Sequence, residues 1–261
     1  MWNYLSLFVV SFAFFQFSAY AGPQAPKREF FEIRIYHLSG KAQEERMENY
    51  LKNAYLPALR RAGIKNIGVF KPVESDTAFG KRIYVFTPMS SLDQLAKLPQ
   101  ALDKDKQYQT AGKDYLESEF KDPTYVRYET ILLQAFSGMP QHQKPALDAP
   151  RSERVYELRS YESPSEKRYL NKVKMFNTGG EIGIFNKLGF NAVFYGEVLA
   201  GRRMPNLMYM TAFANKASRD EHWKAFSNDP DWGKLKDVPE YKDNMNKLEM
   251  FHLRPTEYSD I

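Results

Sequence analysis

No cysteine occurs in the chain. Its absence excludes thiol nucleophiles, thiolate-ligated zinc, iron–sulfur clusters, disulfides and lipid attachment at an N-terminal Cys. Histidine is nearly as scarce. His37, His142, His222 and His252 are the only four, and none falls in HxH or HExxH spacing, so no local metal site is implied. There is no phosphate-binding loop, serine-nucleophile elbow or dinucleotide fingerprint, and no motif calls for a cofactor. Long runs of one charge are missing too. The 37 basic and 32 acidic side chains are interleaved, which reads as solvated surface and gives no nucleic-acid groove.

Long apolar runs are limited to Leu5–Phe15, which is followed by Ser18-Ala19-Tyr20-Ala21. The run is shorter than the about 20 residues of a membrane-spanning helix, and residues 1–21 contain no Arg, unlike a mitochondrial transit peptide. The small-x-small ending fits a signal peptide over 1–21. The expectation is an exported protein, periplasmic or secreted, cleaved after Ala21 and left with no stable membrane span. A chain of this length can rely on its core without disulfides.

What is present is a duplication. Residues 31–36 read FEIRIY and residues 156–161 read YELRSY, with Glu, Arg and Tyr in the same three places 125 positions apart. Glu29 to His37 alternates and is rich in β-formers, predicting a strand. A helix follows through Met47, Tyr50, Leu51, Ala54, Ala58 and Ala62, kinked at Pro57 and stopped by Gly63. Ile67–Val73 and Arg82–Thr87 predict strands, Ser91 with Gln94 begins another helix in capping-box style, and Tyr125–Phe136 predicts a fourth strand. After Ser137–Ser152, with Pro140, Pro145 and Pro150, the order starts again. Glu153–Tyr161 is a strand, Ser165–Leu188 a helix kinked at Gly179-Gly180, and Asn191–Leu199 and Leu207–Phe213 are strands. A helix near Ala217–Phe226, a Pro-started turn at Asp229-Pro230 and a last strand near Lys247–Leu253 complete the set. Gly63 matches Gly189, and Tyr84 is aligned with Tyr209.

The prediction is an α+β protein of two tandem ferredoxin-like βαββαβ modules, 22–136 and 153–261, joined by a Pro-rich linker over 137–152. Each module leaves one sheet face bare, and the two faces close into one intrachain α/β barrel.

The strings VYELRSY (155–161), FNAVFYGEV (190–198), NDPDW (228–232) and HLRPTEYSDI (252–261) resemble the NIPSNAP family. The similarity runs from about Glu29 to the C-terminus and is strongest after Glu153. The resemblance implies ferredoxin-like modules of the dimeric α/β-barrel type and no particular chemistry. The best-known eukaryotic members are mitochondrial, so their organelle-linked roles do not carry over to a chain that reads as exported.

Strand alternation puts Phe31, Ile33 and Ile35 on one side and Glu32, Arg34 and Tyr36 on the other; in the second copy Glu157, Arg159 and Tyr161 oppose Tyr156, Leu158 and Ser160. With the apolar rows turned to the helices, the Glu-Arg-Tyr rows are expected inside the barrel. There Glu32 with Arg34 and Glu157 with Arg159, or pairs between the two copies, form a closed polar network. In the alternative, Arg34, Tyr36, Arg159 and Tyr161 hold an anionic ligand. His37 and His252, at strand ends, are weak catalytic candidates, and His142 is read as solvated. Trp223 and Trp232 are read as core. With 15% aromatic residues, three functions stand: binding of a small aromatic or anionic ligand, a cofactor-free oxygenase or haem-using enzyme by analogy of fold, and a protein-interaction module without a pocket. A small-molecule ligand is the partner expected first, and a homo-oligomer is compatible with the fold.

Overall fold

The computed structural model describes residues 26–261, so the expected signal peptide lies outside the described residues. The first half contains β1 (Phe30–His37), α1 (Lys41–Tyr50), a π-helical turn (Leu51–Tyr55), α2 (Leu56–Arg61), β2 (Gly68–Pro72) and β3 (Arg82–Met89). Helices α3 (Leu92–Lys104), α4 (Lys106–Ala111) and α5 (Lys113–Leu116) then lead to β4 (Arg127–Ala135). The second half contains β5 (Val155–Glu162), α6 (Glu166–Phe176), α7 (Glu181–Lys187), β6 (Asn191–Ala200), β7 (Asn206–Phe213), α8 (Lys216–Asn228), α9 (Pro230–Asp237) and β8 (Lys247–Pro255). Among the described residues, no helix is long and apolar enough to cross a membrane.

Local chemistry explains most of the boundaries. Ser91, Ser165 and Asn215 each accept a backbone N–H three residues on and so cap α3, α6 and α8. Asp229 caps α9 ahead of Pro230, whose missing N–H costs nothing in a first turn. Pro57 ends the π-helical turn where the regular ladder would lack its donor. Gly63 and Gly189 both sit at positive φ, 82° and 73°, at matching points before β2 and β6. At Gly179-Gly180 the expected kink is a full break. Gly180 takes φ 97° and the chain restarts as α7.

The strands form one closed barrel in the order β1-β3-β2-β8-β5-β7-β6-β4. Each half contributes the order 4-1-3-2, the ferredoxin-like arrangement, and the halves join edge to edge through β2–β8 and β4–β6. Gly196 allows the second seam to close, since a Cβ there would lie 3.2 Å from Leu133. Closure removes every free sheet edge.

The face assignment of the duplicated rows is the reverse of the expectation. Phe31, Ile33, Tyr156 and Leu158 point into the barrel with Phe70, Phe86, Leu133, Phe194, Met210 and Leu253. The Phe31, Phe86 and Phe194 rings meet at 5.0–5.3 Å, and each such ring buried contributes about 1.5–3 kcal/mol. Tyr36 and Tyr161 instead lie under the helices of their own halves. The reason is that these strands are covered on both sides, so alternation separates two buried faces without saying which is the barrel. The interior of a small barrel is filled by side chains, and the helix-covered side is where partners for a charge are available. The same register corrects one pairing of the repeat. Arg34 lies opposite Val85 and Arg159 opposite Tyr209, so the counterpart of Tyr84 is Met208.

Residues 137–152 have no regular structure, yet they pack closely. Glu29 N–H donates to the Pro140 carbonyl and Gln143 N–H to that of Val193, while Leu147 rests on the barrel core. His142 is not solvated. Its Nδ1 lies 2.7 Å from Glu29 Oε2, its Nε2 3.0 Å from Asn66, and its ring edge meets Phe86. The C-terminus covers the same end of the barrel, with Thr256 N–H on the Val69 carbonyl and Ile261 buried in the core.

Cleavage within 137–152 is therefore expected to leave the halves associated through both seams. Limited proteolysis followed by size-exclusion chromatography should give one particle of unchanged size. Two separately eluting, folded halves would contradict the barrel.

Candidate functional site

In the first half, Arg34 Nη2 donates to Glu32 Oε1 at 2.9 Å and Nη1 reaches Tyr36 Oη at 3.5 Å. Six further tyrosines pack around this row. The Arg34 guanidinium lies 5.0 Å from the Tyr128 ring centre and 5.6 Å from that of Tyr55. Tyr36 packs on Tyr115, Tyr125 and Tyr128, and Tyr50 stacks on Tyr115 and shares a 2.9 Å hydroxyl contact with Tyr108. Burial raises the Tyr36 hydroxyl, so the cluster is neutral around one paired cation.

In the second half the same row is buried as well, with Arg159 8% exposed, but it borders an open cleft. Arg159 Nε donates to Glu157 and Nη1 to Tyr161 Oη at 3.2 Å, and the Tyr161 and Tyr209 hydroxyls lie 2.7 Å apart. Glu157, fully buried, also accepts from Arg219, and His252 Nε2 lies 3.2 Å away. The Arg159 guanidinium sits 3.5 Å from the Trp223 ring centre, a close cation–π contact. Beside this row runs a cleft of about 420 Å³ lined by Trp223, Phe226, Trp232, Met245, Leu248 and Met250, with Arg159, Tyr161 and Arg219 along its polar side.

Two residues that sequence reasoning missed sit at this cleft. Lys172 on α6 and Glu181 at the start of α7 are both buried and pair at 2.9 Å. Lys172 Nζ also lies 4.8 Å from the Phe176 ring centre and 5.8 Å from that of Trp232. Burial raises the Glu181 carboxyl and Lys172 opposes the shift. The available signal was Gly179-Gly180, because the break is what turns Glu181 back onto Lys172.

The other candidates are spread over the molecule. His252 is engaged with Glu157. His37 lies at the barrel mouth, 2.7 Å from Glu129, far from that cleft. Burial, together with Arg127 and Arg82 alongside, holds its imidazole below the usual value despite Glu129. His222 donates from Nδ1 to the Ser218 carbonyl at 2.7 Å. Arg34 and Tyr36 are shut away from both the barrel and the cleft, so the structure does not bring the four expected ligand-binding residues together. Among the described residues, no group of three or more His, Cys, Asp or Glu is placed to hold a metal ion.

Residues 156–260 match the family model described as NIPSNAP. The match covers the second half of the barrel, from β5 to the C-terminal segment. The cleft and its Glu157-centred network thus lie within the residues similar to NIPSNAP, and the tyrosine-flanked row of the first half lies outside them. No curated protein matches the chain. Among solved structures, a candidate monooxygenase from Fusobacterium nucleatum is 7% identical over 88% of this chain and 93% of its own, with a TM-score of 0.58. A candidate monooxygenase from Lactobacillus acidophilus is 11% identical over 88% and 94%, at 0.56. An anthrone oxidase-like protein is 9% identical over 89% and 93%, at 0.52. At such identities these similarities establish the shared α/β-barrel fold alone.

Burial by itself would raise the Glu157 carboxyl, but the His252 hydrogen bond and the charges of Arg159 and Arg219 outweigh it and hold it at about 2, below its ordinary 4.5. A depressed carboxylate stabilises the fold above the unfolded value and loses that contribution as pH falls through the folded one. The window here runs from about pH 4.5 to about 2, and the contribution is about 3 kcal/mol. Glu157→Gln, which leaves the buried Arg159 without a carboxylate while Arg219 keeps Asp220 at 2.9 Å, should cost about 3–5 kcal/mol near neutral pH and remove that acid dependence. Arg159→Met should cost less, because Glu157 keeps Arg219 and His252. Urea unfolding across the pH range checks both; an Arg159→Met cost equal to that of Glu157→Gln would show that Arg219 and His252 contribute nothing.

Proposed function

We propose that the NIPSNAP-like half binds a small aromatic ligand, without catalysing a reaction on it, in the cleft beside Trp223 and Trp232. The observation that carries this reading is the apolar wall left uncovered there. Met245, Leu248 and Met250 retain 38%, 37% and 44% of their surface next to two indoles, whereas Tyr115, Tyr125 and Tyr128 pack on Tyr36 in the equivalent row of the first half. Indole faces, thioethers and a stacked guanidinium all favour a flat π-system. The ionisable groups along the cleft are paired, Glu157 with Arg159 and Arg219, and Glu181 with Lys172. None stands free as a general base, which supports binding over catalysis.

Trp223 and Trp232 are the only tryptophans after Trp2, so intrinsic fluorescence of the mature chain reports on the cleft. Titration with 1-naphthol is expected to quench it saturably, and Leu248→Asp with Met250→Lys should weaken binding at least tenfold. Quenching that is linear in probe, or unchanged by the double substitution, would refute the reading. Native mass spectrometry of protein from its own host would then identify any retained molecule.

A further inference from the structure

The barrel has one closed end and one open end. Residues 137–152 and the C-terminus cover the end where β4 finishes and β5 begins. At the opposite mouth lies a second pocket, of about 240 Å³, that the aromatic cleft does not touch. Its floor is apolar: Ile35, Tyr84, Ile131, Met208 and Phe251, the last layer of the barrel core. Its rim is cationic, with Arg82, Arg127, Arg202 and Arg203 around His37 and a single carboxylate, Glu129.

Strand register makes this rim by direct juxtaposition. His37 lies opposite Arg82 on β3 and opposite Arg127 on β4, so three basic side chains stand in one row across adjacent strands. Burial holds His37 neutral near neutral pH, so Arg82 and Arg127, one strand to either side of it, are the charged members of the row. Glu129 is engaged by His37 and Arg202, each at 2.7 Å, and Arg203 is bonded to Glu249 and lies 3.9 Å from Glu162. Lys247 shares those two carboxylates. Arg82 and Arg127 have no carboxylate partner among the described residues. Arg203 is also held at φ 67°, an uncommon conformation for a side-chain-bearing residue. Asn206, 2% exposed and part of the pocket lining, gives Nδ2 to Ser160 at 2.9 Å and leaves Oδ1 without a partner.

We infer that the open barrel mouth is a binding site for a small organic dianion. The acid groups are held by Arg82 and Arg127, with Arg202 and Arg203 beside them, and the apolar body rests on Tyr84 and Phe251. Guanidinium pairs are suited to bidentate capture of carboxylate or phosphate, and two unmatched cations at a partly enclosed mouth focus an attractive potential for such an ion. The site is independent of the aromatic cleft, shares none of its residues, and stands or falls without it.

Calorimetric titration of the full mature chain with phenyl phosphate and with phthalate tests the inference, with benzyl alcohol as the neutral control. At least one dianion should bind saturably while benzyl alcohol does not, and affinity should drop at least tenfold in Arg127→Gln. Arg127 is exposed, so folding of that variant is not at risk. Because Arg127 has no carboxylate partner among the described residues, its replacement breaks no ion pair, and the ligand-free variant should melt at a temperature equal to or above that of the parent. Failure of both dianions to bind, affinity changed less than twofold by Arg127→Gln, or a lower melting temperature of the empty variant would each overturn it.

Discussion

The structure depends on one constraint. An eight-stranded barrel closed on itself has an interior that must be filled with apolar side chains, so every charge on its strands has to be accommodated outside or at the ends. Phe31, Phe86, Phe194, Leu158 and Met210 fill the inside. Glu32, Arg34, Glu157 and Arg159 are consequently pressed under the helices, and Arg82, His37 and Arg127 are left at the rim. Three distinct environments for charge follow from one closure: a pair among tyrosines, a pair beside a cleft, and a cationic mouth.

The two halves place the same Glu-Arg-Tyr row in the same position and then treat it differently. In the first half the segment between α3 and β4 brings Tyr108, Tyr115 and Tyr125 around the row, and burial raises the Tyr108 and Tyr115 hydroxyls, so the tyrosines stay neutral around the Glu32–Arg34 pair. In the second half the segment before β8 supplies Trp232 and Met245 to the wall of the cleft, while Arg219 reaches in from α8 to share Glu157. Duplication provides the frame, and the stretch between the second long helix and the last strand decides whether the row is packed among tyrosines or left beside a pocket.

Element order, both glycine stops, the Ser91 cap and the barrel itself were legible because they rest on local chemistry and on a repeat. The charge pairs Glu32–Arg34 and Glu157–Arg159 were legible as well, since two residues apart on a strand is the same face. What could not be read was which face. Both sides of β1 and β5 are covered, and only the assembled barrel says which one is dry. Lys172–Glu181, Arg219–Glu157 and the Arg82–His37–Arg127 row were hidden for a related reason. Each joins residues from separate elements whose proximity is set by packing and register. His142 misled because proline-rich composition suggests a solvated tether, whereas Glu29 and Asn66 fix it across the closed end.

Closure itself is open to direct measurement by native-state hydrogen exchange of the seam amides. Thr256 N–H, bonded to Val69 beside the β2–β8 seam, and the β4–β6 amides near Leu133 and Gly196 are the reporters. In a closed barrel they should exchange only by global unfolding, with the same opening free energy as the central β1–β3 amides. Seam amides that exchange through a cheaper opening, while β1–β3 stays protected, would mean two separate sheets stacked face to face and would contradict the account.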